Sequence, residues 1–204
     1  MNYFRRLKNR FLSIIPRFRR RVILEVRRGD PPPELPHLEG VRFEQVTSDN
    51  VDMISHYCDQ SEMMKRRKNI DDGVLGMYAF CGDRVVGQGW AEIPGDDDRL
   101  LWNFLPVTKD TLPFRSFSID PQYRGRKIFQ HLLRQLAVLC FRKTSVNRIL
   151  SHVYEDNVIS LAGCERAGFR RICVIPFIEW RGRLYPLKKI PEYMSRVSES
   201  KDSK

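Results

Sequence analysis

The 204-residue chain contains no stretch of about 18 uninterrupted apolar residues, so no membrane-spanning helix is expected. Its five cysteines, Cys58, Cys81, Cys140, Cys164 and Cys173, are odd in number, widely spread and without a Cys-x-x-Cys pair. That pattern speaks against a disulfide or zinc framework and for reduced, mostly buried thiols in a reducing compartment. No metal site is expected, and no internal repeat is visible. The basic start is not expected to be a secretory signal, because Lys and Arg interrupt its apolar residues and no continuous apolar region or small-residue cleavage site follows. The expected location is therefore cytoplasmic.

What is present is ordinary in amount and uneven in placement. A hydrophobic content of 42% and a charged content of 30% suit one globular domain with a sizeable core. The net charge is +11, and residues 1–28 hold ten Lys or Arg against the single acid Glu25. The basicity is thus local. Phe4, Leu7, Phe11 and Ile14 or Ile15 recur at spacings of three and four among those cations, which predicts an amphipathic helix stopped by Pro16. Such a basic arm, residues 1–28, can lie peripherally on the anionic inner face of a membrane, pack on its own domain, or bind nucleic acid. Membrane contact is favoured, and nucleic acid is disfavoured because no basic and aromatic surface elsewhere supports it. Val22 to Val26 is apolar and β-branched enough for a strand.

Prolines at 31–33 and 36 make residues 29–40 a stiff linker. The globular domain is expected over residues 41–190, with a polar tail at 191–204. Residues 41–46 alternate like a half-buried strand, and two helices are predicted near 50–57 and 59–68. The second ends in the basic run Lys65 to Lys68. Residues 76–81 and 84–93 form a hairpin around Gly82 and Asp83, with Gly87 and Gly89 marking a bulge or the close approach of another backbone. Residues 100–105 read as an extra strand and residues 107–113 as a loop. Strands are also expected at 148–153, 170–180 and 183–187.

The most informative stretch runs from Phe114 to Phe169. An apolar strand through Ile119 breaks at Asp120 and Pro121, crosses a basic loop holding Arg124, Gly125, Arg126 and Lys127, and enters a helix with apolar positions at Ile128, Leu132, Leu133, Leu136 and Leu139. Unpaired N–H groups at a helix start, together with a glycine, make such a turn fit for a phosphate or pyrophosphate. Further on, Asn157 and Ser160 open a short helix that Gly168 and Phe169 close.

These two segments resemble the coenzyme A loop and the following strand and helix of the GNAT superfamily of acyl-CoA-dependent N-acyltransferases. Gln122-x-x-Gly125-x-Lys127 follows the loop pattern with lysine in the last small-residue position, and Asn157, Ser160, Gly168 and Phe169 follow the second pattern. The resemblance implies an α/β (α+β) fold with a mixed, largely antiparallel sheet of about six to seven strands and helices on both faces. It implies acetyl-CoA or another acyl-CoA as donor, with the pantetheine arm along a splayed strand at Phe117, Ser118 and Ile119. Pyrophosphate would rest on residues 124–129, including Ile128 and Phe129, and Asn157 and Ser160 would lie near the leaving thiolate.

Transfer to an amine requires a proton acceptor and a donor for the carbonyl oxygen. Glu92, near the end of the third strand, is the first candidate for the base, with Glu155 and Asp156 as alternatives. The family's usual acid, a tyrosine seven residues after the asparagine, is replaced here by Cys164, which reads either as a thiol acid or as packing. Tyr123, Tyr154, His131 and His152 are nearby, with His131 expected on the solvated face of its helix. The acceptor is expected to be a small-molecule, glycan or lipid amine. A donor on an acyl carrier protein, or coenzyme A binding without turnover, are the competing expectations.

Overall fold

In the computed structural model, residues 15–54, 58–91, 110–181 and 183–187 are described. Their nine strands form two sheets. One has four strands in the order β2-β3-β4-β6, comprising β2 (Val41–Gln45), β3 (Leu75–Cys81), β4 (Arg84–Ala91) and β6 (Arg115–Ile119), all antiparallel. The other has five in the order β5-β7-β1-β8-β9, comprising β5 (Thr111–Pro113), β7 (Arg148–Tyr154), β1 (Arg17–Arg27), β8 (Arg170–Trp180) and β9 (Arg183–Pro186). Only β5 and β7 run parallel among these pairs. The mixed, largely antiparallel architecture agrees with what the resemblance implied, with nine strands among the described residues against the six to seven expected.

The helices α1 (Gln60–Asp71) and α2 (Ile128–Lys143) cover opposite faces of the four-stranded sheet, and α3 (Val158–Arg166) packs against α2 and β8. Met77 and Ala79 of β3 join Leu132, Leu133 and Leu136 of α2 in the main core, whereas the alternate residues Tyr78 and Phe80 pack with Met63 of α1. The period-2 alternation of a strand serves two cores at once. Asp59 caps α1 by accepting from the Glu62 N–H at 2.8 Å. The helix predicted near 50–57 is a short 3-10 turn over Val51–Ile54, and residues 55–57 lie outside the described set.

The basic N-terminal segment departs most from the sequence expectation. Residues 1–14, with the predicted amphipathic helix, lie outside the described residues, but Arg17–Arg27 is the middle strand of the five-stranded sheet, paired with β7 on one side and β8 on the other. Val22, Ile23, Leu24 and Val26 are at most 1% exposed. Burying each such side chain contributes about 1.5–3 kcal/mol, whereas exposed charges alter stability by roughly 1 kcal/mol or less. Apolar content therefore decided the fate of residues that counting charge had assigned to an arm.

The strand's polar residues are matched in place. Glu25, 2% exposed, accepts from both Nε and Nη2 of Arg148 at 2.7 Å, and also from Arg27. Just past the strand, Arg28 donates to the carbonyls of Phe141, Thr144 and Val146 at 2.6–3.1 Å. Those bonds satisfy orphan acceptors at the end of α2 and fasten β1 to it. The linker is docked rather than free, since Asp30 accepts from the Arg27 N–H at 2.8 Å and pairs with Arg170 at 3.3 Å.

Candidate functional site

The site begins where the two sheets part. Residues 111–113 pair parallel with β7, and the Phe114 N–H donates to the Leu150 carbonyl at 2.7 Å. Past that bond the chain turns to the other sheet and pairs with β4 instead, so β6 and β7 diverge. The loop expected at 107–113 thus contains a short strand that sets the fork. A cleft of about 290 Å³ opens between the diverging strands, with Phe114 in its wall.

The β6 wall is shaped by its backbone. Gln88 pairs with Ser118 and Trp90 with Arg115, which leaves Ser116 and Phe117 together opposite Gly89. This is a β-bulge, and Ser116 sits in it at φ 55°. Gly89 is required there, because a Cβ would come within 2.2 Å of the Phe117 ring. The bulge expected from the two glycines is present. Phe117 stands edge-on to Phe129 of α2 at 5.8 Å, and both line the cleft.

From β6 the chain enters the anion-binding turn. Asp120 is buried, accepts from the Gln122 N–H at 3.0 Å and pairs with Arg84 at 2.9 Å, fixing the break after the strand. Gly125 has φ 80° and Lys127 φ 62°. Lys127 is the N-cap of α2 and makes no side-chain cap bond, so the first N–H groups of the helix are left for a ligand. Residues 124–127 are exposed, and a Cβ on Gly125 would meet nothing within 4 Å. An open, uncapped helix start beside a cleft with a kinked backbone wall suits the pyrophosphate and arm of coenzyme A.

The β7 wall is made of side chains. Asn157 accepts from the Ser160 N–H at 3.2 Å as the N-cap of α3, and both residues line the cleft with His152 and Tyr154. Arg21 crosses from β1, where it is in register with Tyr154. Its Nη1 donates to His152 Nδ1 at 3.0 Å and its Nη2 to the Tyr154 hydroxyl at 2.9 Å. An arginine has no lone pair to offer, so the His152 ring carries its proton on Nε2. Burial, then Arg21 and Arg115, push the His152 pKa down to about 3. A base that weak cannot deprotonate an ammonium group near pH 7.

The expected coenzyme residues fall into three places. Phe117, Phe129, Asn157 and Ser160 line the cleft. Arg124, Gly125, Arg126 and Lys127 form the exposed turn, where Arg124 Nε donates to the Ile119 carbonyl at 3.2 Å and Arg126 lies over the Tyr123 ring at 4.9 Å. Ile128 is buried at the helix start, Ser118 lies in the ladder, and the Ile119 side chain packs toward Gly87.

The expected catalytic residues are not brought together. Glu92 lies outside the described residues. Glu155 pairs with Arg20 at 3.0 Å and Asp156 with Arg19 at 3.1 Å, and neither lines the cleft. Cys164 is fully buried in the main core beside Ser151, and burial raises its thiol to about 12. That surrounding matches the packing alternative. His131 is half-buried and stacked on Phe43 at 6.1 Å rather than solvated, and burial lowers its pKa. Arg21, Arg115 and Ser151 escaped the sequence pattern, since nothing local marks a residue that reaches the site by strand pairing.

The family model for the acetyltransferase (GNAT) family matches residues 43–169, well over half of the chain. The chain belongs to the acetyltransferase (GNAT) family, a class of acyl-CoA-dependent N-acyltransferases. No curated protein sequence matches it. Among solved structures, a Drosophila protein shares 11% identity at a TM-score of 0.57, over 90% of this chain and 59% of its own. A GNAT-family acetyltransferase from Colwellia psychrerythraea shares 11% at 0.56, over 89% of this chain and 62% of its own. The aminoglycoside N-acetyltransferase AAC(6')-Iy, solved with CoA, shares 14% at 0.52, over 69% of this chain and 94% of its own. These likenesses show a common fold. This chain spans about three fifths of the length of the first two.

Proposed function

We propose that this chain transfers an acyl group, most simply acetyl, from acyl-CoA to the primary amine of a small molecule. The observation that carries the proposal is the fork of β6 from β7, which opens the cleft beside the uncapped start of α2. Acyl-CoA supplies an activated thioester carbonyl. The chain supplies N–H groups at residues 128–130 for the pyrophosphate, a strand parted from its neighbour for the arm, and the bulge at Ser116 and Phe117 as a main-chain source of hydrogen bonds to the carbonyl oxygen. The Tyr154 hydroxyl, already accepting from Arg21, keeps its own proton available to a leaving thiolate.

Free thiol released from acetyl-CoA in proportion to added amine, with N-acetyl product found by mass spectrometry, is the expected result. A competing reading, coenzyme A binding without turnover, draws on the lack of any carboxylate among the described residues of the cleft wall. Tight binding with no thiol release across a broad amine panel would favour it.

The cytoplasmic location and membrane contact belong to the proposal as well. With Arg17–Arg27 committed to the sheet, the segment left to touch an anionic surface is residues 1–14, which carry Arg5, Arg6, Lys8 and Arg10. Loss of sedimentation with anionic vesicles on deleting those residues would support that part. An acceptor carried on a membrane glycan or lipid would be compatible with it.

A further inference from the structure

The cleft contains a cation that acyl transfer does not require. Arg21 stands on β1, outside residues 43–169 that match the family, and lines the cleft through its own side chain. Its partners are neutral: His152, Tyr154, and the rings of Tyr154 and Phe177 at 4.4 and 5.3 Å from its guanidinium carbon. Its Nε is buried and without a hydrogen-bond partner among the described residues. Nearby arginines are treated otherwise. Arg19 has Asp156 at 3.1 Å, Arg20 has Glu155 at 3.0 Å, and Arg27 has Glu25. Two carboxylates thus follow Tyr154 directly in sequence, yet both turn to other strand neighbours, and Arg21 has no carboxylate among the described residues. A partly desolvated guanidinium held only by neutral acceptors is poised for an anion, and its planar fork suits a carboxylate.

The side of the sheet decides which anion. Val22, Leu24, Ile149 and Val153 pack in the core beneath α2, whereas Ile23 and Leu150 pack in a separate cluster on the opposite face. Strand alternation puts Arg21, His152 and Tyr154 on that opposite face. The cation therefore stands away from the α2 start where pyrophosphate is expected, on the side left for the second substrate. Arg115 also bears on His152 and disfavours a positive charge on that ring.

We propose that Arg21 selects the amine acceptor by pairing with a carboxylate on it, so that the acceptor is an amine of amino-acid type rather than a polyamine. This rests on the N-acyltransferase reading above. The test compares the full chain with Arg21→Gln and Arg21→Lys on matched amines, β-alanine with β-alaninamide and L-lysine with L-lysinamide, using acetyl-CoA as donor. The parent should favour the carboxylate member of each pair. Arg21→Gln should reduce that preference in kcat/KM by about ten- to a hundredfold, mainly through KM, as expected for one charge-assisted contact. Arg21→Lys should keep part of it, and calorimetric affinity for acetyl-CoA should stay near the parent value in both.

An equal loss on both members of each pair would overturn the proposal, because it would mean that Arg21 only positions His152 and Tyr154. A parent that binds acetyl-CoA but acetylates no member of either pair would overturn it as well. A parent preference for succinyl-CoA over acetyl-CoA, erased in Arg21→Gln, would move the carboxylate to the donor and overturn the acceptor assignment. Failure of the parent to bind acetyl-CoA would instead remove the acyltransferase reading underneath.

Discussion

The two walls of the cleft are made of different material. The β6 wall and the turn beyond it work through main chain: a bulge opposite Gly89, a left-handed Gly125, and an uncapped helix start. The β7 wall works through side chains gathered from afar, with Arg21 bonded to His152 and Tyr154 across 131 and 133 residues. A main-chain site holds what all substrates of a class share, and a side-chain site can be changed one residue at a time. The first suits a common donor and the second a particular acceptor.

The largest effect that separates the walls comes from unseating β1. Glu25→Gln should leave the buried Arg148 cation without its full counter-charge and destabilise the fold by about 3–5 kcal/mol, the range for breaking a buried pair. Urea unfolding measures this. A change below about 1 kcal/mol would mean that the pair behaves as a surface bridge.

A smaller effect is expected on the other wall. Gly89→Ala places a methyl group 2.2 Å from the Phe117 ring, so the ring or the bulge must shift. Overpacking of this kind costs about 1–3 kcal/mol. Acetyl-CoA affinity should fall along with stability, because Phe117 lines the cleft. Lost stability with unchanged affinity would show that the bulge is not part of the donor site.

The last effect concerns acid and appears only below about pH 6.5. His152 has a folded pKa of about 3 against an ordinary value near 6.5. The unfolded chain therefore binds the extra proton between those values, and stability present above pH 6.5 declines as pH falls toward 3. His152→Asn should flatten that part of the stability profile. An unchanged profile would show that His152 does not remain neutral in the folded protein.

The sequence was legible where the main chain acts, and for the same reason. Gly125 and Gly168 take positive φ, Gly87 and Gly89 face Ile119 and Phe117 too closely for a Cβ, and Asp120 and Asn157 are caps, so these residues mark the turn, the bulged strand and the ends of α3 locally. Alternation and helical spacing placed most of the strands and the apolar stripe of α2. Arg21 could not be found this way, because its role depends on β1 being threaded between β7 and β8. The strand at Val22 to Val26 was legible from its apolar, β-branched residues. Only the arginines flanking it, counted as part of a basic arm, concealed how far it extends and that it is buried at the middle of a sheet. Glu155 was chosen because it follows the end of a strand, where successive side chains point to opposite faces, and it went to Arg20. Cys164 was chosen by its spacing from Asn157, and that position lies on the buried side of α3, in the core.

The central claim is that the turn at Gly125 receives the pyrophosphate of acyl-CoA. Calorimetric titration of acetyl-CoA into the parent, Gly125→Ala and Gly125→Glu tests it most directly. Any side chain at φ 80° carries strain of about 1–2 kcal/mol, so Gly125→Ala measures that contribution alone. Binding by the parent, modest weakening in Gly125→Ala and no measurable binding in a folded Gly125→Glu is the expected result. A folded parent that does not bind, or a glutamate variant that binds as well as the alanine one, would contradict it.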